Sequence, residues 1–176
     1  MIKPILLTFT WGALAATIAF GAQESAAAPT DPQIAMIAVT ADTIDIDAGK
    51  LAAEKTANPK VKDFAELMVR DHTSVNDQAT ALAKKLNLTP EESATSRGLK
   101  AAADKEATKL KGLSGPAFDK AYVDNEVAYH EKVLGAVDKT LIPNAKNAEL
   151  KSLLESARPI FESHLSHAKE VQSSLK

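Results

Sequence analysis

Apolar residues recur three and four positions apart through four long stretches of this 176-residue chain, a spacing that lines one face of an α-helix and does not suit a strand. One stretch runs Val61, Ala65, Met68, His72, Val75, Ala79, Leu82, Leu86. A second runs Val123, Val127, His130, Leu134, Val137, Leu141, and a third runs Leu150, Ala157, Phe161, His164, Ala168, Val171, Leu175 with Leu153 and Leu154 filling the gap. Each of these three seams carries a histidine where a helix of an ordinary core has Leu or Val. Periodicity therefore predicts helices, and the histidines demand a reason for facing inward.

Composition narrows the class. A hydrophobic content of 45% in this length predicts one domain with a real core. Aromatics are only 5%, with 7 Gly and 8 Pro, so the abundant alanines favour closely packed helices over strands. A net charge of -2 and a pI near 6.1 lack the clustered basic face that nucleic acid requires.

The N-terminus reads as an address. Lys3 precedes an apolar run from Ile5 to Phe20 and then small residues through Ala28, the order of a secretory signal. Cleavage after Gly21, Ala22 or Ala27 fits equally, and an uncleaved anchor is the alternative. Residues 1–28 are thus expected to be a signal peptide and 29–176 the domain. The destination is the periplasm or the exterior, with outer-membrane association a further option. No later segment reaches the roughly twenty apolar residues of a membrane span. Cysteine is absent, which removes thiolate chemistry and leaves histidine and carboxylates as the only strong metal ligands.

The segment order predicts the topology. A first helix is expected from about Asp31 or Pro32 to Thr56, capped by Asp31, with Ile34, Ile37, Ala41, Ile44, Ala48 and Leu51 as its buried stripe. The second runs from about Pro59 to Asn87, and residues 89–115 read as a helical crossover. The third runs from Ser114-Gly115-Pro116 to about Thr140, followed by a turn at Leu141-Ile142-Pro143-Asn144. The last runs from about Ala145 to Ser174, kinked or split by Pro159 around Glu155 to Arg158. The fold class is all-α: a four-helix bundle with one long crossover between helices two and three, the ferritin-like arrangement. A rise of about 1.5 Å per residue puts His72 and His130 level, roughly 20 Å up, with Asp45, Asp47 and Glu155 near them, and puts His164 roughly 10 Å lower.

Asp45-Ile46-Asp47-Ala48-Gly49-Lys50-Leu51-Ala52, Met68-Val69-Arg70-Asp71-His72, Phe118-Asp119 with Tyr122-Val123, Val127 and His130, and Pro159 with Phe161, His164-Leu165 and Ala168 form a recurring set. In these the chain, from about Gln33 to Lys169, resembles the bacterial family known as domain of unknown function 4142. The resemblance implies export and a ferritin-like fold, and it brings no established activity. Aspartates 45 and 47 stand where glutamate is common in that family, shortening each side chain by one methylene.

Candidate metal ligands are His72, His130, Glu126, Asp45 and His164, a donor set suited to a divalent iron, zinc, copper or manganese ion. No cofactor is required by any motif. The Glu-x-x-His pairs of a di-iron centre, a phosphate loop, a nucleophile elbow and a zinc-protease His-Glu-x-x-His are all missing. In the alternative use, the histidines are internal polar ties to Asp71, Asp119, Glu126 or Asp45 that set helix register. His167 sits at the edge of its stripe as a half-exposed residue. The leading expectation is an exported bundle with a structural, stress-related or interaction role, an unknown protein or envelope partner and no catalysis, with metal or small-ligand binding as the alternative. Histidines buried neutral would make stability fall below about pH 6.

Overall fold

The computed structural model describes residues 28–175; the expected signal peptide therefore lies, but for its last residue, outside the described residues. The elements are α1 (Asp31–Lys55), α2 (Pro59–Lys85), α3 (Ala94–Lys111), α4 (Gly115–Ala136), a π-helical turn (Val137–Leu141), the short α5 (Ile142–Asn144) and α6 (Ala148–Ser174). All of them are helical, as the periodicity predicts. Helices α1, α2, α4 and α6 form the bundle and α3 is the crossover, lying against α1. Among the described residues no helix is long and apolar enough to cross a membrane.

Local chemistry sets the ends. Thr30, not Asp31, is the N-cap of α1, and Gln33 Oε1 accepts from Thr30 N at 3.2 Å. The Asp31 carboxylate instead accepts from Lys146 N and Asn147 N at 2.8 and 2.9 Å, tying the start of α1 to the turn before α6. Asn58 caps α2 by accepting from Lys60 N, and Asn147 caps α6 by accepting from Glu149 N and Leu150 N. Helix α6 runs unbroken through Pro159. The proline is on the exposed face, while Leu154, Ala157 and Phe161 on either side are buried, so packing of the inner face carries the helix past the missing backbone bond and Pro159 does not split it.

Two expected boundaries move, with consequences for height. The chain stays helical through the π turn and α5 to Asn144, where a turn was expected, and α6 begins at Ala148, not Ala145. Four residues more on the way up and three fewer on the way down raise His164 by about 10 Å at 1.5 Å per residue. This cancels the expected offset and brings His164 level with His72 and His130.

The core is divided in two. One cluster gathers Ala52, Val61, Phe64, Ala65, Met68, Leu110, Phe118, Tyr122, Val123, Ala168 and Val171. The other gathers Ile34, Ile37, Val75, Val137, Leu141, Leu150, Leu154, Ala157 and Phe161. Between these clusters each long helix buries polar residues: Thr40, Asp42 and Asp45 on α1, where Ile46 and Gly49 are buried beside them, His72 on α2, Glu126 and His130 on α4, and His164 on α6. A polar layer thus crosses the bundle at mid-height.

Close packing of α1 on α2 holds this layer. A Cβ built on Gly49 would sit 2.9 Å from both Ala65 O and Val69 Cγ2, so the helices cross at a point where only glycine fits.

Candidate metal centre

His72, His130 and His164 are each 2% exposed or less, and they converge. Ring centroids lie 5.6 Å apart for His72 and His130, 5.0 Å for His72 and His164, and 5.5 Å for His130 and His164. One ring nitrogen from each falls within 4.8 Å of the other two. Phe161 stacks on His72 at 5.3 Å, nearly parallel, closing the layer on the side of the upper apolar cluster.

Each ring is held through one of its two nitrogens. His72 Nδ1 pairs with Asp42 Oδ1 at 2.8 Å, His130 Nδ1 donates to its own helix at Glu126 O, 3.0 Å away, and His164 Nε2 pairs with Asp71 Oδ2 at 3.1 Å. The remaining nitrogens, His72 Nε2, His130 Nε2 and His164 Nδ1, are buried without a hydrogen-bond partner.

A carboxylate group adjoins this triad. Asp45, Glu126 and His130 also bring one donor atom each within 4.8 Å of one another, and Asp45 Oδ2 lies 3.5 Å from His72 Nε2. The Glu126 carboxyl pairs with that of Asp45 and lies 3.6 Å from His130 Nδ1, and the buried Tyr122 hydroxyl one turn earlier on α4 has no hydrogen-bond partner.

Burial governs the charges. It pushes Asp42 up to about 7 and Glu126 up to about 8. Asp45 is raised by burial and then by the neighbouring Glu126 charge. The Tyr122 phenol is raised by burial and then by the charges of Glu126 and Asp45. Desolvation lowers His72 to about 4 and, with help from the neighbouring His72, lowers His130 to about 3; it also lowers His164. At neutral pH the three imidazoles are therefore uncharged, the form that ligates metal. Asp71 differs: burial acts to raise it, yet hydrogen bonds from His164 and Arg70 hold it below its ordinary value.

A sequence profile of the family described as "Domain of unknown function (DUF4142)" matches residues 17–171. The chain belongs to the DUF4142 family. Among solved structures, the DUF4142 chain is similar to "CopM in the Cu(II)-bound form", at 14% identity and a TM-score of 0.67, over 85% of this chain and 100% of that one. At that identity the likeness concerns the fold. No curated protein matches the chain.

The DUF4142 bundle sorts the sequence candidates. His72, His130, His164, Asp45 and Glu126 come together in one buried layer. Asp47 and Glu155, expected at the same height, are exposed, since they lie on the outer faces of α1 and α6. Asp119, a candidate tie for a histidine, instead accepts from the Thr56 hydroxyl. His167 is half-buried and packs edge-on to Phe64 at 5.3 Å, outside the triad. Asp42 was missed. It lies three residues before Asp45 and therefore on the same face, but the predicted stripe of α1 runs through Ala41 and Ile44 and leaves that face at its edge. A cavity of about 1090 Å³ lined by residues of α1, α2, α3, α4 and α6 counts Asp42, Asp45 and His72 in its wall.

Proposed function

We propose that this DUF4142 protein, exported by the signal read at residues 1–28, binds a divalent transition-metal ion on His72, His130 and His164. One observation carries the reading: three buried imidazoles each bring a ring nitrogen within 4.8 Å of the other two and each keep one nitrogen without a partner, while their other nitrogens are fixed by Asp42, Glu126 O and Asp71. Outward hydrogen bonds of this kind set the tautomer and orientation of metal-bound histidines.

The register-tie reading explains the outward bonds only. It leaves three ring nitrogens buried without partners, each costing about 1–3 kcal/mol. An ion would satisfy the nitrogens together. Imidazole donors beside carboxylates, in a chain without cysteine, suit Cu(II) or Zn(II) better than Cu(I), which prefers sulfur. Cu(II) is the first ion to test, since the similar CopM is described in its Cu(II)-bound form.

Metal content by mass spectrometry on tag-free protein from the periplasm, followed by melts with added Cu(II), Zn(II), Fe(II) and Mn(II), decides the matter. Near-stoichiometric metal and a rise in melting temperature that His72→Ala removes are expected. No bound metal and no shift would return the histidines to the role of polar ties.

A further inference from the structure

The carboxylate group beside the triad is not a second description of the same site. His130 Nδ1 is committed to Glu126 O at 3.0 Å, so the nitrogen it has free is Nε2, left without a partner along with the open nitrogens of His72 and His164. What adjoins is a set of oxygens. Tyr122, Glu126 and His130 follow one another at four-residue spacing on α4 and so share a face, and Asp45 approaches from α1. All four residues are 2% exposed or less.

Two features of these oxygens point to a ligand. The Tyr122 hydroxyl is buried with no partner, although buried hydroxyl groups are ordinarily hydrogen-bonded, and the Glu126 carboxyl has only the Asp45 carboxyl to pair with, two acids that must share either a proton or a cation. Asp45 also stands between the two sets, its Oδ2 3.5 Å from the open nitrogen of His72 and its carboxyl grouped with that of Glu126. A carboxylate has an oxygen for each side.

We propose a second cation position at Asp45 and Glu126, with the Tyr122 hydroxyl beside it, adjoining the imidazole position and linked to it by Asp45. Its oxygen donors suit a harder divalent cation of the Mn(II) class, whereas the nitrogens suit Cu(II) or Zn(II). The layer then holds two different ions side by side. This rests on the reading that the three histidines bind an ion, and the test separates the two claims.

Metal-free protein is given Zn(II) alone, Mn(II) alone, or Zn(II) followed by Mn(II), then gel-filtered and assayed for both metals, with Mn(II) EPR recording the environment of the manganese. The expected result is about one Zn(II), and one Mn(II) taken up beside it, with Glu126→Gln and Asp45→Asn each losing the manganese while Glu126→Gln retains the zinc. Tyr122→Phe, which keeps the core volume, broadens or shifts the EPR signal. Circular dichroism confirms that each variant is folded, and the wild-type stoichiometry decides even where a variant is not. Zinc with no manganese at any order of addition overturns the second position and leaves the imidazole site standing. Manganese without zinc overturns the imidazole site and keeps the carboxylate one. Manganese retained in both carboxylate variants overturns the assignment of residues.

Discussion

His72 Nδ1 and Asp42 Oδ1 lie 2.8 Å apart in the centre of the bundle, both side chains 3% exposed or less. This contact joins α1 to α2 across thirty positions of sequence, and it decides which nitrogen of His72 is left for an ion. The same arrangement recurs at His164 with Asp71, so two of the three rings are aimed by a carboxylate from another helix.

Replacing that carboxylate should therefore weaken metal binding without touching a ligand. Asp42→Asn keeps the volume but offers an amide that can donate to Nδ1, moving the ring proton to Nε2 and blocking the ligating nitrogen. Affinity for Cu(II) or Zn(II) should drop by about 10- to 100-fold, read by competition with a chromophoric chelator. Unchanged affinity would mean that Asp42 does not orient the site.

The pH dependence follows from groups that oppose one another. Asp42, Asp45 and Glu126 have folded values raised, to about 7 for Asp42 and about 8 for Glu126, so they favour the folded chain at low pH and that contribution is lost as pH rises through those values. His72, His130 and His164 have lowered values, about 4 for His72 and about 3 for His130, so they favour folding above the ordinary histidine value and lose that as pH falls. Between about pH 4.5 and 6.5 the two sets act in opposite directions. The fall below pH 6 expected from the histidines alone is offset by the carboxyls. Melts of metal-free protein should vary less over that range than the histidines alone would give, decline toward pH 8, and decline again below about 4.5. Added metal should raise the melting temperature more at pH 8 than at pH 5.5, because its charge compensates carboxylates that have lost their protons. A steady rise in metal-free stability from pH 5 to 8 would contradict this balance.

Gly49 tests the packing that brings the layer together. A methyl group there must displace Ala65 O and Val69 Cγ2, each 2.9 Å from the added carbon, and a backbone carbonyl has little room to yield. Gly49→Ala should cost about 1–3 kcal/mol in urea unfolding and weaken metal binding in parallel by shifting α1, which carries Asp42 and Asp45. A midpoint equal to wild type would show that the crossing is looser than its geometry.

Much of this fold is legible in the sequence because α2 and α6 carry their apolar residues on one face, and the histidines fall on it. Helix α1 is different: apolar residues lie on several sides of it, so spacing alone does not choose the inward face. Ile44, Ala48 and Leu51, predicted inside, are half-buried, while Asp42 and Asp45 are inside. An aspartate reads as solvent-facing until its partner is known, and the partner of Asp42 is a histidine on the next helix. The height of His164 was hidden for another reason. It depends on where the chain turns over at the top, and the π turn at Val137–Leu141 and the cap at Asn147 move that point without changing any apolar spacing.

Level histidines make a sharper prediction than staggered ones. With His164 as close to His72 as His130 is, alanine at any one of the three positions should abolish metal binding to a similar degree, since two imidazoles in a buried layer leave the ion short of ligands. His167→Ala and Glu155→Gln should bind as wild type does, because the first side chain packs on Phe64 and the second faces solvent. Isothermal titration with Zn(II) across the set reads the difference directly. Retention of wild-type affinity in His164→Ala would restore the staggered arrangement and confine the site to α2 and α4, whereas equal loss in His167→Ala would point to a site nearer the lower end of α6.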